Sequence, residues 1–300
     1  MKLRGPAHSA YAPHETLVAP ARQYSELWRL LAGLVLVGIV IITMNLALFA
    51  TVANTGSVEL ISSLQGGSSP AAMLILLASF GFATLGVALA VRLFQRRGLG
   101  TVLGPRGQVI DQFWRVLSAL LILGLVLALL PPYDMGVPLE PNLPVLQWIA
   151  LLPFSLSAVL IQTSSEEILF RGYLQQSLAA RFRAPWVWMG IPSILFAAGH
   201  YAPNAAGDNA MLVAVWACVF GLLSADLTAR AGTLGPAIAM HFANNAMALL
   251  VISLPDSLSG LALFHLPFDM SDTGILRQWL IVDFGVMIVS WLVARLALRR

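Results

Sequence analysis

The chain has 300 residues, of which 58% are hydrophobic and only 10% charged, with a mean hydropathy of +0.82. Soluble domains carry roughly 25% charged residues, so this composition excludes an ordinary soluble globule and indicates a polytopic membrane protein. The formal net charge of +3 describes a face that meets anionic lipid and calls for no nucleic-acid partner; the single cysteine, Cys218, has no partner for an internal disulfide.

Residues 1–24 contain Lys2, Arg4 and Arg22 without apolar periodicity and read as a short, disordered cytoplasmic tail. They do not read as a signal peptide, because the first apolar run starts late and is too long for an h-region. Apolar segments follow near residues 27–53, 70–91, 114–131, 144–165, 186–201, 210–229, 234–254 and 276–297. Stretches of about 20 apolar residues are bilayer spans, so the expected fold is an all-α bundle of about eight transmembrane helices forming one domain over residues 25–300.

Positive charge sets the orientation. Lys2, Arg4, Arg22 and Arg29 precede the first segment; Arg92, Arg96, Arg97, Arg106 and Arg115 surround the second connection; Arg171, Arg181 and Arg183 follow the fourth segment; Arg230 lies in the sixth connection, and Arg295, Arg299 and Arg300 close the chain. The other connections hold Glu59, Asp134, Glu140, Asp208, Asp256, Asp269 and Asp272, with Arg277 as their basic residue. This bias places both termini in the cytoplasm. The excess of arginine over lysine and the short tail point to a bacterial cytoplasmic membrane.

The fourth segment ends in "SSEEILFRGY", residues 164–173. A charge in hydrocarbon costs at least about 2.5 kcal/mol and is by default a functional hypothesis. Glu167 and Arg171 are spaced i, i+4 in the favourable acid-first order and can pair. Glu166 is turned about 100° away on the helix and stays free to act elsewhere. The competing reading makes all three interfacial, with Arg171 reaching for headgroups.

The fifth segment closes on "FAAGH", where Phe196 and His200 share a face, and "HYAPN" with Pro203 then ends it abruptly. In the sixth, Asp226 and Arg230 read as a surface pair. The seventh contains "HFANN", where His241 and Asn245 share a face. Either histidine alone reads as polar glue between helices. Three polar clusters on successive parts of one bundle imply a shared polar cavity, in which the imidazoles of His200 and His241 converge on the Glu166 carboxylate. Trp186 and Trp188 read as an interfacial belt; Asn45 and Asn244 read as packing groups, His265 as a loop residue, and Asp283 as an unexplained buried acid.

"EEILFR", "FAAGH" and "HFANN" resemble, in order and spacing, the EExxxR, FxxxH and HxxxN motifs of the CAAX protease and bacteriocin-processing (Abi) family of intramembrane endopeptidases. The resemblance covers about residues 145–255 and is most specific in "EEILFRGYL". It implies an eight-helix core and a site open to the cytoplasmic side. It also implies that Glu166, with His200, activates the attacking water, that His241 and Asn245 stabilise the oxyanion, and that Glu167 and Arg171 support the site. The implied substrate is a membrane protein or lipidated peptide within the lipid bilayer. One glutamate and two histidines are also a catalytic zinc set, so Glu166, His200 and His241 are the alternative ligands; asparagine is a poor zinc ligand, and Asn245 tips the expectation toward no cofactor. The readings from other classes are a transporter, against which stands the lack of repeated halves, and a scaffold that has lost catalysis.

Overall fold

The computed structural model describes residues 10–130, 138–255 and 257–299. The expectations that involve Lys2, Arg4, Asp134, Asp256 and Arg300 fall outside the described residues. The principal helices are α1 (Leu27–Thr55), α2 (Pro70–Phe94), α3 (Arg106–Leu129), α4 (Val145–Arg181), α5 (Trp186–Gly199), α6 (Ala210–Ala231), α7 (Gly235–Ala246) and α8 (Thr273–Leu298). The fold is an all-α membrane bundle.

Among the described residues, six helices are long and apolar enough to cross a bilayer: α1, α2, α3, α4, α8, and α6 with the turns that lead into it from Pro203. The expected count of about eight spans is therefore not confirmed by length alone. The shorter helices are α5 and α7, for reasons visible in the sequence. The regular part of α5, Ile191–Gly199, is nine residues long, and the chain turns at His200 before Pro203. Helix α7 has twelve residues, runs on through a wide turn at Met247–Val251, and gives way to extended chain at Ile252. Short helices of this kind are tolerated at membrane depth where they line a protein interior.

Local chemistry fixes the ends. Ser69 caps α2 by accepting from the Ala72 amide, with Pro70 in the first turn. Gly232 stops α6 in the left-handed region at φ 72°. A side chain there would also strike the carbonyl of Pro13, so this glycine is required twice. Three two-residue strands, β1 (Glu140–Pro141), β2 (Ile252–Ser253) and β3 (Phe264–His265), form a small sheet in the order β1-β3-β2. The first pair is antiparallel with Glu140 opposite His265; the second is parallel with Ile252 opposite Phe264.

The two largest of four buried apolar clusters among the described residues divide the bundle. One gathers Leu30, Val37, Val87, Val91, Tyr173, Leu174 and Trp188 from α1, α2, α4 and α5. The other gathers Leu117, Leu120, Phe196, Phe220, Met240 and Met287 from α3 and α5 to α8. Leu31, Val35, Ile42 and Leu46 on α1, and Leu121, Ile122 and Leu125 on α3, are each about 60% exposed, the outward apolar surface a bilayer requires.

The N-terminal segment departs from expectation. Residues 10–24, expected to be disordered, form three short helical turns, Ala12–His14, Glu15–Val18 and Ala19–Tyr24, that bury His14, Leu17, Val18 and Ala21. The reason is a set of distant partners. The Tyr11 hydroxyl donates to Asp226 Oδ1 at 2.8 Å, and the rings of Tyr11 and His14 pack on Trp188. Two further readings change with it. Trp188 is buried rather than interfacial, while Trp186 is 74% exposed. Asp226 is no surface acid: it is 7% exposed and accepts from Tyr11, Arg230 and Trp291.

Candidate active site

Helix α4 carries the first part of the site at a change of helical pitch. Its regular α-helix ends at Glu167, and Ile168–Gln175 continue as a π-helix. Such wide turns leave the usual hydrogen-bond ladder and recur at functional sites. The stretch is held from outside at Gly172, where a Cβ would collide with Val102 and press on Leu234. The turn bearing Arg171 is thereby clamped between the α2–α3 connection and the start of α7.

Glu167 is fully buried. Its Oε1 accepts from Arg171 Nη1 at 3.0 Å and from His241 Nδ1 at 2.8 Å. With the carboxylate as acceptor, the Nδ1 position carries the proton, which fixes the ring's orientation and leaves Nε2 pointing elsewhere. That nitrogen lies 3.4 Å from Glu166 Oε2. The contact is an ion-pair separation without hydrogen-bond alignment, and Glu166 Oε2, Glu167 Oε2 and Arg171 Nη2 are buried with no hydrogen-bond partner. The Arg171 guanidinium also sits 4.7 Å from the centre of the Phe196 ring, which adds a cation–π contact.

Helix α5 supplies a wall. Ser193 lies against Gly221, where any added Cβ would meet its side chain at 2.9 Å, so α5 and α6 approach closely. This places Phe196 among Phe170, Phe220, His200 and His241. The Phe196 ring is 4.4 Å from that of His200 and 6.0 Å from that of His241, which bounds the separation of the two imidazoles by the sum of those distances. His200 Nδ1 donates to the Phe196 carbonyl at 2.8 Å, so its Nε2 is the nitrogen left with a lone pair.

On α7, Asn245 Nδ2 donates to Gln162 Oε1 at 2.9 Å, and Asn244 Nδ2 donates to Asn245 Oδ1 at 3.1 Å. The structure thus brings Glu166, Glu167, Arg171 and His241 into one contact network. It sets Asn245 one turn along α7 and His200 behind the Phe196 ring, without a direct bond from His200 to Glu166. The i, i+4 pairing of Glu167 with Arg171 is observed as the spacing predicts. Gln162 was not singled out in the sequence, although it precedes Glu166 by four positions and so shares its face.

Glu166, His200 and His241, the alternative zinc ligands, are not gathered into one set. Among the described residues no group of three His, Cys, Asp or Glu side chains is placed to hold a metal. The Nδ1 of His241 is held by Glu167 and that of His200 by a carbonyl, which leaves Nε2 as the open nitrogen of each ring.

The apolar helices and the buried acid–histidine–arginine cluster describe an integral membrane protein with a buried polar site. Residues 148–247 match the family model described as type II CAAX prenyl endopeptidase Rce1-like, so the resemblance carried by the three motifs is shown over the segment that contains every candidate site residue. The chain is also 30% identical over 189 residues to the uncharacterized protein YyaK of Bacillus subtilis strain 168, an alignment covering 60% of each protein. The chain therefore spans about three fifths of that relative's length. No solved structure matches it.

Proposed function

We propose that the protein is an intramembrane endopeptidase that hydrolyses a peptide bond of a membrane-associated or lipidated protein, in a bacterial cytoplasmic membrane with both termini inside. The observation that supports it most is the contact of Glu166 with a histidine that a second, arginine-paired glutamate holds in place, inside a segment matching an endopeptidase family.

In this reading Glu166, assisted by His200, takes a proton from water as its oxygen adds to the scissile carbonyl carbon. The carbonyl electron pair moves to oxygen, which His241 and Asn245 stabilise as donors, each worth about 2.7 to 4 kcal/mol when well placed. Donation from His241 Nε2 uses the imidazolium form, because Nδ1 already donates to Glu167. Glu166 then returns its proton to the departing amine as the C–N bond breaks. Glu167 and Arg171 act through His241 by fixing its ring.

The test is cleavage by the purified protein, in liposomes, of a farnesylated peptide ending in a CAAX sequence and of its unlipidated counterpart, beside Glu166→Ala. Cleavage by the wild type alone supports the assignment, and preference between the two peptides reports on lipid recognition. Equal behaviour of the two proteins sinks it. Activity that survives thorough chelation supports metal independence, and loss on chelation with stoichiometric restoration by zinc would overturn that part.

A further inference from the structure

Asn245 presents a chemical problem as an oxyanion donor. A primary amide has one end that donates and one that accepts, and only the NH₂ end helps an oxyanion. A free asparagine side chain on α7 would sample both. Its orientation must come from neighbours, and two are present. Gln162 Oε1 takes one hydrogen of Asn245 Nδ2 at 2.9 Å, and Asn244 Nδ2 donates to Asn245 Oδ1 at 3.1 Å. The amide plane is thus gripped at both ends, with one Nδ2 hydrogen uncommitted.

Gln162 is the more informative of the two. It is 6% exposed and belongs to α4, whereas Asn245 belongs to α7. It also lies one turn before Glu166, on the same face of the same helix. The bond therefore ties the oxyanion donor to the helix that carries the base, and does so across 83 positions of sequence. Helix α7 has a second tie to α4 in the bond from His241 Nδ1 to Glu167. Two bonds one turn apart on α7 fix its register against α4, one at each oxyanion donor.

We infer that Gln162 is a positioning residue: it orients the Asn245 amide so that its free N–H meets the developing oxyanion, and it sets the spacing between that N–H and Glu166. The inference rests on the endopeptidase reading. It distinguishes Gln162 from a packing glutamine, because the bond it makes ends on a group that acts in the transition state rather than on backbone. Interactions realised only in the transition state appear in kcat and not in KM.

The experiment is a double-mutant cycle with Gln162→Met, which keeps length and removes the acceptor, and Asn245→Ala, read on the farnesylated peptide in liposomes. The expected result is a fall in kcat of about 10- to 100-fold for Gln162→Met, as for loss of one oriented donor, with KM within about threefold. In the Asn245→Ala background the same substitution is expected to change kcat by less than about twofold, since there is no amide left to orient. A full independent loss in that background, or a loss confined to KM, overturns the inference. Should Gln162→Met accumulate poorly, Gln162→Leu and thermal melts of all four proteins carry the same cycle. Activity that needs Glu166 but ignores Gln162 refutes the positioning role alone, whereas no Glu166-dependent cleavage at all refutes the reading beneath it and the role with it.

Discussion

Two buried carboxylates in this protein have the same local sequence grammar and different surroundings. Glu167 and Asp226 each precede an arginine by four residues on a helix, and each makes the i, i+4 ion pair, at 3.0 and 2.8 Å. Asp226 is saturated: Tyr11 and Arg230 Nε reach Oδ1, and Arg230 Nε and Trp291 Nε1 reach Oδ2, all between 2.8 and 3.0 Å. It joins the N-terminal turns, α6 and α8. Glu167 concentrates both of its partners on Oε1, and three buried polar atoms around it stay unpaired. Buried polar groups in folded proteins are almost always satisfied, so clustered exceptions call for a reason. A hub that is complete holds helices together, and a cluster left incomplete retains capacity to bind and transfer protons. The second condition is costly to stability and is what a catalytic site accepts.

The largest effects should separate the two regions. Glu166→Gln is expected to lower kcat by about 10²- to 10⁴-fold, the range for a lost general base, while the thermal midpoint in detergent stays within a few degrees of wild type. A comparable loss of stability would merge the two regions and weaken the distinction. Asp226→Ala should do the reverse, costing roughly 3 kcal/mol by stranding Arg230, the Tyr11 hydroxyl and the Trp291 indole, yet leaving kcat per folded molecule nearly unchanged. Tyr11→Phe removes one donor and leaves two on the carboxylate, so a loss of about 1 kcal/mol is expected, visible as a lower melting temperature. If Tyr11→Phe instead destabilised as much as Asp226→Ala, the hub would depend on the N-terminal turns rather than on α8.

The geometry of the candidate site is legible where the physics is local. The acid-first spacing of Glu167 and Arg171 predicts the pair seen, and helical faces predict that His241 and Asn245 point the same way. What stayed hidden depends on distance along the chain. Gln162 shares a face with Glu166, yet its partner is 83 positions away; Asp226 looks like a surface acid until Tyr11, 215 positions earlier, is folded onto it. Residues 10–24 lack apolar periodicity because they dock by a few anchors, Leu17, Val18 and the Tyr11 hydroxyl, and not by a helical face. Hydropathy left the length of two helices unread for a related reason. It registers apolar length in α5 and α7, whereas Pro203 and the extended chain at Ile252 decide where those helices stop.

An effect that is the smallest of these near pH 6 and grows with acidity probes the docked N-terminal turns. His14 is 4% exposed, its ring lies 4.8 Å from that of Trp188, and its Nε2 is 3.4 Å from the Gln175 amide nitrogen. An amide NH₂ can only donate, so Nε2 is the accepting nitrogen and the ring is neutral. Burial lowers its pKa from 6.5 to about 4. The unfolded chain therefore binds more protons than the folded one across that window. Stability is fully present above about pH 6.5 and declines as pH falls toward 4. By that linkage the loss is under about 1 kcal/mol at pH 6 and about 2 to 3 kcal/mol at pH 4.5. Melting curves of wild type and His14→Gln, taken from pH 7.5 to 4.5, should start apart and converge, because the variant has no imidazole to protonate. Parallel curves would show that the ring is already solvated, and the N-terminal turns would then be a loose cover on the hub and not a part of it.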